Sequence, residues 1–327
     1  MQTDIPDLNN LPVLLGIYPQ GWPGYQQVID TEFLALDAWM GKRLSIGGSF
    51  LDIEIPYPLD YVKGPLEMLW KNGYTPFVNL TTSHTAREVA RGEVDIRLNQ
   101  WAQAFASFAR DGECMAFIAP LHEMNSRSSP YGLDPTSYKE AYRHIQEVFH
   151  EQGVPRRSVR WVFAPMGWNY PGDPPFEEYY PGDSGVNIVG FSSFNNGYYP
   201  NPENDTPAWL MPRMVFRRYL ERMMLMAVNK PIFICQTGTS AWYEVSGVDK
   251  GAKNQWLREA FTYLGTYPGV SAVIYYNLVS TQGIDWPFWI NDVPGLQYEG
   301  YREGISNGVY NYLSPSALSN IRLELLR

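Results

Sequence analysis

The sequence predicts a (β/α)8 barrel, in which a closed ring of eight parallel strands is surrounded by helices. Eight short apolar segments alternate with longer segments of helical periodicity. Each apolar segment is nearly continuous, which is typical of parallel strands buried on both faces. A length of 327 residues is common among such barrels, so we expect one domain over residues 1–327. A doubly wound open sheet is the alternative, but no glycine-rich nucleotide-binding motif follows the first apolar segment.

The apolar segments give the predicted strands: Val13–Ile17, Arg43–Ile46, Thr75–Leu80, Met115–Leu121, Ser158–Ala164, Val186–Phe191, Pro231–Cys235 and Val270–Tyr276. The clearest helices between them are Arg97–Arg110, Pro135–Glu151, Pro207–Val228 and Gly251–Leu264. Asp134 before Pro135 is a suitable N-cap, and Gly153 is a suitable stop. Functional side chains in these barrels follow the carboxyl ends of the strands, so those positions are the first candidates for a site.

Composition narrows the function classes. A net charge of -9 argues against nucleic acid or an anionic membrane as a partner, and we find no apolar run long enough to cross a bilayer. The 11 Trp and 23 Tyr are numerous, and some stand beside Gly and Pro, as in Gly21-Trp22-Pro23 and Trp286-Pro287. Rings in such loops are expected to be exposed, and flat exposed rings stack on sugars. Carbohydrate is therefore the favoured partner.

Cofactors and location are less constrained. Cys114 and Cys235 stand among apolar residues and are predicted to be buried free thiols. No cluster of residues has metal-ligand spacing and no phosphate-binding loop is present, so we expect no metal and no cofactor. The first residues lack the features of a signal peptide, but a secreted protein without its signal would look the same. We expect a secreted or extracellular protein, a cytoplasmic location remains open, and the sequence does not indicate the oligomeric state.

Glu123 is the main catalytic candidate. It follows the fourth apolar strand directly, so its carboxyl group should emerge from the core into the open end of the barrel, where desolvation raises the pKa and suits a general acid. Asp52 with Glu54, and Glu177 with Glu178, are alternative acids. Amide, histidine and aromatic side chains near the other strand ends or in loops are candidates for sugar binding: His122, Asn125, Trp168, Asn195, Tyr198, Tyr275, Trp22 and Trp286.

The segment His122-Glu123-Met124-Asn125 after an apolar strand resembles the acid/base segment of glycoside hydrolase family 26. Further segments are similar to later strands of that family, in the same order: VRWVFAPMGWN, YYPGDSGVNIVGFSSFN, KPIFICQTGTS and VSAVIYYN. The resemblance runs from Leu14 to about Trp286. It implies a (β/α)8 enzyme that hydrolyses a β-glycosidic bond with retention, using two carboxylates about 5–5.5 Å apart. Glu123 matches the acid/base, and the nucleophile should be a glutamate where this chain has Gln236.

Three departures from the family pattern matter. An amide oxygen is too weak a nucleophile, so a chain with Gln236 should bind sugar but hydrolyse it very poorly. Phe194 stands where the family usually has a tyrosine that hydrogen-bonds the nucleophile. The tryptophan-rich run that follows the acid/base in mannan-cleaving members is reduced to Ser126–Tyr131, so glucan, mannan and xylan all stay possible.

Two hypotheses explain the glutamine, and a third, of a different class, concerns the use of the whole barrel. Gln236 could have been introduced in place of a natural glutamate to trap intact substrate, which the complete His122–Asn125 segment favours. The protein could instead be a natural, non-catalytic carbohydrate-binding relative, which Phe194 favours. A surface scaffold with an unused barrel opening is the third, and it predicts an opening closed by the segment Trp286–Trp289.

Overall fold

The structure, a computed structural model, describes residues 12–198, 209–244, 250–279 and 284–321. Eight parallel strands form a closed barrel in chain order, and the last strand pairs with the first. The strands are β1 (Leu14–Tyr18), β2 (Ile46–Asp52), β3 (Thr75–Thr81), β4 (Ala116–Pro120), β5 (Val159–Phe163), β6 (Ile188–Asn195), β7 (Ile232–Thr239) and β8 (Val270–Tyr276). The predicted (β/α)8 barrel is confirmed.

Helices connect the strands and cover the outside of the barrel: α1 (Gln26–Val28), α2 (Ala35–Met40), α3 (Gly64–Lys71), α4 (Ala86–Ala90), α5 (Asp95–Ala109), α6 (Pro135–Glu151), α7 (Pro212–Met226), α8 (Lys250–Thr266), α9 (Glu299–Gly304) and α10 (Pro315–Asn320). π-helical segments precede α2 and α3, at Ile29–Leu34 and Leu59–Lys63. Residues 207 and 208, the predicted start of the helix that includes α7, lie outside the described residues. Within the described ranges, no helix has both the length and the hydropathy needed to span a bilayer.

The second strand differs most from its prediction. The apolar pattern predicts it at Arg43–Ile46, but β2 runs from Ile46 to Asp52 and includes Gly47 and Gly48. Neighbouring side chains occupy the space that a Cβ would need there. A Cβ at Gly47 would lie 2.5 Å from Leu69, and one at Gly48 would lie 2.6 Å from the ring of Tyr18. Glycine in a strand permits this close approach but breaks the apolar run that the prediction relies on.

The predicted ends of α6 are confirmed. The Asp134 side chain accepts a hydrogen bond from the backbone N–H of Ser137 at 3.1 Å, and Pro135 occupies the first turn. Gly153 follows the helix with a φ of 77°, the left-handed conformation that glycine adopts most readily. This helix sets the exit path of the loop that follows β4, the strand before Glu123.

Two apolar layers stabilise the barrel. The interior layer includes Phe77, Phe117 and Phe233, with ring centroids of Phe117 and Phe233 5.2 Å apart. The outer layer lies between the sheet and the helices. Leu318 and Ile321, in and after α10, join the interior layer, and Leu313 before α10 also packs against it. Since the backbone N–H of Leu313 also bonds Ser45, just before β2, this segment covers the amino-terminal end of the barrel. The opposite, carboxyl-terminal end is called the mouth below.

Candidate active site

Glu123 lies at the mouth, three residues beyond β4, in an unusual backbone conformation. Leu121 and Glu123 both have positive φ angles, 51° and 55°, in the region that non-glycine residues rarely adopt. Hydrogen bonds on both sides maintain this conformation. The Leu121 N–H donates to the carbonyl oxygen of Leu80 at 2.8 Å, and the Glu123 N–H donates to the carbonyl oxygen of Ala164 at 2.8 Å. Strained backbone of this kind concentrates at functional sites because the surrounding structure must enforce it. The two bonds fix Glu123 relative to the neighbouring strands β3 and β5.

The surroundings of Glu123 favour the protonated form of its carboxyl group. Burial raises its pKa, and the nearby hydroxyl of Ser192 offsets part of that rise. The side chain is nevertheless partly exposed, because it opens onto the mouth. Burial also raises the pKa of the groups around it, and proximity to this carboxylate raises them further: Tyr18, Tyr131, Cys235 and Tyr276. A carboxyl group with a raised pKa retains its proton closer to neutral pH, as general acid catalysis requires.

A β-bulge in β7 directs Gln236 towards the barrel interior. Phe191 of β6 pairs with Ile234, but the next residue, Ser192, pairs with Gln236, so β7 carries one extra residue, Cys235. The register with β8 shifts over the same residues. Cys235 belongs to the interior layer, and strict alternation would turn the following residue away from it. Because of the bulge, Gln236 shares the level and the side of Ser192, the residue beside Glu123.

The bulge is tied to the opposite strand. The Tyr18 hydroxyl donates to the carbonyl oxygen of Cys235 at 3.1 Å and accepts from the Asn79 amide at 2.8 Å. Tyr18 comes from β1 and Asn79 from β3, so three strands together fix the backbone beneath Gln236. Cys235 itself is a buried free thiol, as is Cys114, which confirms that prediction.

Several buried polar atoms at the mouth have no protein partner among the described residues. They are Nδ1 of His122, Oγ of Ser192 and Nε2 of Gln236. Ser192 lies beside the Glu123 carboxyl group but not in hydrogen-bond geometry. Burial lowers the pKa of His122 to about 4, so its imidazole is neutral at physiological pH. Buried polar groups normally find partners, and a cluster that lacks them is suited to bind the hydroxyl groups of a ligand.

Aromatic rings surround these polar atoms. The ring of Phe50 lies 5.4 Å from the ring of His122 and 6.2 Å from that of Tyr276. Phe194 lies 5.7 Å from Tyr276 and 5.0 Å from Trp286. Phe50, Phe194 and Tyr276 are partly exposed, whereas Trp286 is buried beside them. The segment that contains Trp286 therefore packs beside the mouth and leaves the rings and Glu123 accessible.

Tyr275 does not face the mouth. It is fully buried between the barrel and the helices, and its hydroxyl donates to the carbonyl oxygen of Trp286 at 2.9 Å. Alternation along β8 places the next residue, Tyr276, on the interior side. The prediction that Tyr275 contacts sugar at the mouth is therefore wrong, and Tyr276 is the tyrosine of this strand end that faces the mouth.

Two of the predicted amides make internal hydrogen bonds. The buried Asn125 side chain donates to the Met166 carbonyl oxygen at 2.7 Å and accepts from its N–H at 2.8 Å, which joins the loops after β4 and β5. Buried Asn195 donates to Thr239 at 2.9 Å and accepts from the Leu210 N–H at 3.0 Å. Both amides position the backbone around the mouth, and their direct contact with sugar stays a prediction.

The remaining predicted aromatics lie in loops that follow three different strands. Trp168, in the loop after β5, is 45% exposed and its ring lies 4.2 Å from that of Tyr170. Tyr198 is partly exposed, and its backbone N–H bonds the Trp242 carbonyl oxygen at 2.8 Å. Trp22, in the loop after β1, is half-buried. Their role in binding stays a prediction.

The alternative acids are bound by other protein groups. Asp52 accepts a hydrogen bond from the Glu54 N–H at 2.8 Å, and burial together with the neighbouring Glu54 carboxyl raises the pKa of Asp52 to about 6. Glu54 accepts from Thr82 at 2.5 Å. Glu177 forms a two-point ion pair with Arg222 on the outside of the barrel. Asp52 and Glu54 thus line the edge of the mouth between β2 and β3, and Glu177 has a structural partner.

Sequence reasoning missed Lys253, a buried lysine on α8. Its ammonium group donates to the carbonyl oxygens of Asp285, Trp286 and Pro287 at 2.6, 3.2 and 2.9 Å. The Asp285 carboxylate lies 3.7 Å away and the Tyr298 ring centroid 4.7 Å away. Lys253 therefore fixes the segment that places Trp286 against Phe194. One lysine in a helical pattern gives no signal that separates a buried clamp from a solvated charge. The described residues contain no group of ligands suited to a metal ion.

Comparison with known proteins supports the family resemblance for part of the chain. The sequence model of Glycosyl hydrolase family 26 matches residues 86–210, which is less than half of the 327 residues. The match includes β4, Glu123, β5 and β6, but not Gln236. No curated protein matches the chain by sequence.

Solved structures with the same fold cover nearly the whole chain. The catalytic domain of a Bacillus sp. JAMB-750 family 26 endo-β-1,4-mannanase is 15% identical, with a TM-score of 0.65 over 96% of this chain and 90% of that chain. The family 26 domain of a Prevotella bryantii endo-β-mannanase/endo-β-glucanase is 13% identical, with a TM-score of 0.63 over 96% and 94%. A β-mannanase from a symbiotic protist of the termite Reticulitermes speratus, complexed with a gluco-manno-oligosaccharide, is 14% identical, with a TM-score of 0.57 over 95% and 90%. At these identities the likeness establishes the fold alone.

Proposed function

We propose that this protein is built as a retaining endo-β-glycosidase for a β-linked polysaccharide, and that Gln236 makes the present chain bind its substrate without cleaving it efficiently. The observation that carries the proposal is the pairing across the mouth. Glu123, with a raised pKa, lies beside Ser192, and the bulge in β7 brings Gln236 to the level of Ser192. The family match over residues 86–210 and the fold of the solved mannanases support the same class.

Glu123 acts as the general acid in this proposal. It donates its proton to the glycosidic oxygen as the bond to the anomeric carbon breaks. Its partial exposure gives the leaving oxygen access, while burial keeps the proton bound until transfer. In the second half of the reaction the same carboxylate removes a proton from the attacking water.

Residue 236 is the nucleophile position. A glutamate there would attack the anomeric carbon, whereas the glutamine amide cannot form the glycosyl-enzyme intermediate at a useful rate. A carboxylate at this position would also raise the pKa of Glu123 further, since like charges disfavour ionisation. In the present chain the Gln236 amide N–H group has no partner among the described residues and can donate to a sugar hydroxyl.

The substrate is a β-linked glucan, mannan or xylan, and an extracellular location fits a polysaccharide of this kind. Phe50, Phe194 and Tyr276 provide apolar faces for sugar rings at the centre of the mouth. His122 and Ser192 provide hydrogen-bonding groups for hydroxyls. Phe194 lacks the hydroxyl of a tyrosine, so a glutamate at position 236 would depend on other donors for its orientation.

A natural carbohydrate-binding protein without catalysis is the second candidate, and Phe194 together with Gln236 favours it. A surface scaffold with a closed mouth has less support, because Glu123 and the surrounding rings are partly exposed. Binding of oligosaccharide by the present chain is expected if the protein is a glycosidase or a carbohydrate-binding protein. It is not expected if the protein is a scaffold.

Restoring the acid tests the catalytic proposal. Gln236→Glu should release reducing sugar from at least one of β-glucan, mannan and xylan. The control Gln236→Met, which has a side chain of similar length but no carboxylate, should not. Adding Glu123→Gln to Gln236→Glu should remove most of this activity, with the largest loss on substrates that have poor leaving groups. If the restored protein folds, binds oligosaccharide and cleaves none of the three polymers, the catalytic proposal is wrong and the binding role replaces it.

A further inference from the structure

Beside the mouth, a second cavity of about 500 Å³ is formed by the loops that follow β1 and β2. Its lining includes Trp22 and Tyr25 from the first loop, and Tyr57, Asp60 and Tyr61 from the second. β1 and β2 are neighbours in the barrel, and both loops leave from the carboxyl ends of their strands. The cavity therefore opens on the same face of the barrel as Glu123.

The cavity exposes an unusual amount of aromatic surface. Tyr25, Tyr57 and Tyr61 are 63%, 73% and 42% exposed. The rings of Trp22 and Tyr61 lie 6.3 Å apart at 60°, so they form a corner with two apolar faces. Adjacent exposed rings of this kind indicate a binding surface, since single exposed apolar residues are common but clusters are not.

The backbone of Tyr57 is strained although its ring packs on little. Its φ is 51°, a region where bulky residues are outliers. A turn maintains this conformation: the carbonyl oxygen of Tyr57 accepts from the Asp60 N–H at 2.9 Å and from the Tyr61 N–H at 3.1 Å. Glycine would adopt the same conformation at lower free energy. An exposed ring presented by a strained backbone is explained by a contact that the isolated protein does not contain.

The first loop is also fixed. The Gly21 N–H donates to the Glu32 carboxylate at 2.9 Å, and the Tyr25 N–H donates to the Trp22 carbonyl oxygen at 3.1 Å. A Cβ at Gly24 would lie 2.6 Å from Nε1 of Trp22, so only glycine lets the indole lie against this backbone. Both walls of the cavity are thus preformed, which lowers the entropy lost when a ligand binds.

The lining chemistry selects a neutral, hydroxyl-rich ligand. Asp60 is the charged residue in the lining, and its carboxylate would repel a phosphate or another anion while accepting hydrogen bonds from hydroxyls. Tyr57, Asp60 and Tyr61 are all exposed, so their hydroxyl and carboxylate groups can reach a ligand in the cavity. Flat rings with hydroxyl-binding groups between them match the alternating apolar and polar surfaces of a sugar chain.

We propose that this cavity is a distal subsite that binds sugar units of the β-linked polysaccharide outside the segment held at Glu123. The inference rests on the proposed function, because one polysaccharide chain would pass from the mouth, over Phe50 of β2, to the loops after β1 and β2. The distal subsite contributes to affinity for long chains and for the polymer, and it does not contact a disaccharide bound at the mouth.

Calorimetry on the full protein with Gln236 tests the subsite. β-1,4-linked manno-, gluco- and xylo-oligosaccharides are compared as disaccharides and hexasaccharides. Tyr61→Ala should weaken hexasaccharide binding about tenfold, as expected for one lost aromatic contact, with little change for the disaccharide. Tyr267→Ala, which changes a half-exposed tyrosine between α8 and β8 at the amino-terminal end of the barrel, is the matched control and should change neither.

Tyr57→Gly separates a binding role from a structural one. Because glycine relieves the positive φ, this variant should unfold at the same or a higher temperature, yet bind the hexasaccharide about tenfold more weakly. Unchanged hexasaccharide affinity in both variants would overturn the subsite. Saturable binding of tetramethylammonium in place of sugar would also overturn it, since an aromatic cavity with one carboxylate can bind a quaternary ammonium.

The two proposals fail in distinguishable ways. Hydrolysis by Gln236→Glu with no effect of Tyr57→Gly or Tyr61→Ala on hexasaccharide affinity leaves the catalytic proposal standing and removes the subsite. Loss of hexasaccharide affinity in both variants, with no hydrolysis by Gln236→Glu, leaves the subsite standing and removes the catalytic proposal.

Discussion

Replacing Lys253 with methionine should destabilise the protein strongly, because this buried ammonium group organises the segment after β8. Methionine has a similar length but no donor. The variant leaves three carbonyl oxygens, those of Asp285, Trp286 and Pro287, without the lysine that bonds them at 2.6–3.2 Å. The Trp286 oxygen keeps the Tyr275 hydroxyl as a partner, and each of the other two acceptors, once left unsatisfied, costs about 1–3 kcal/mol.

The expected loss in unfolding free energy for two unsatisfied acceptors is therefore about 2–6 kcal/mol. An unfolding entropy of about 2.1 cal/mol/K per residue gives about 0.7 kcal/mol/K for 327 residues, so the melting temperature should fall by about 3–9 °C. Differential scanning calorimetry measures this directly. Lys71→Met, at an exposed position near the end of α3, is the matched control and should shift the melting temperature by less than about 1 °C.

Lys253→Met should also weaken oligosaccharide binding, because Trp286 loses one of the groups that hold its backbone beside Phe194. Equal melting temperatures for Lys253→Met and Lys71→Met would refute the reasoning. That result would mean that water or a rearranged loop replaces the three hydrogen bonds at no net cost.

Three further variants test the mouth itself. His122 has a pKa of about 4 in the folded protein and about 6.5 in the unfolded chain, so the unfolded chain binds more protons between these values. The unfolding free energy should therefore fall by about 3 kcal/mol from pH 7 to about pH 4. His122→Gln should reduce this pH dependence, measured by urea titration at each pH. Asn125→Ala should lower the unfolding free energy by about 2–3 kcal/mol through its lost bonds to Met166, and an unchanged urea midpoint would count against that role. Tyr276→Ala should weaken oligosaccharide binding about tenfold, and an unchanged affinity would contradict the assignment of this ring to the mouth.

The sequence alone was sufficient for the barrel and for the position of Glu123. Continuous apolar strands alternating with helices are a local pattern, and burial on both faces leaves a parallel strand little choice of residue. The end of such a strand is visible as the point where the apolar run stops, and Glu123 stands just past it. Phe194 and Gln236 were recognised in another way, from the resemblance of the segments around them to strands of a known family.

Only the tertiary structure decided which side chains face the mouth. The face of a strand residue depends on register with its neighbours, and the bulge at Cys235 reverses the alternation that would otherwise turn Gln236 away. The same dependence on register explains why Tyr276, and not the predicted Tyr275, faces the mouth. Lys253 shows the related limit for helices, because its three acceptors lie more than thirty residues further along the chain. Contacts between segments distant in sequence leave no periodic trace, so packing alone assigns them.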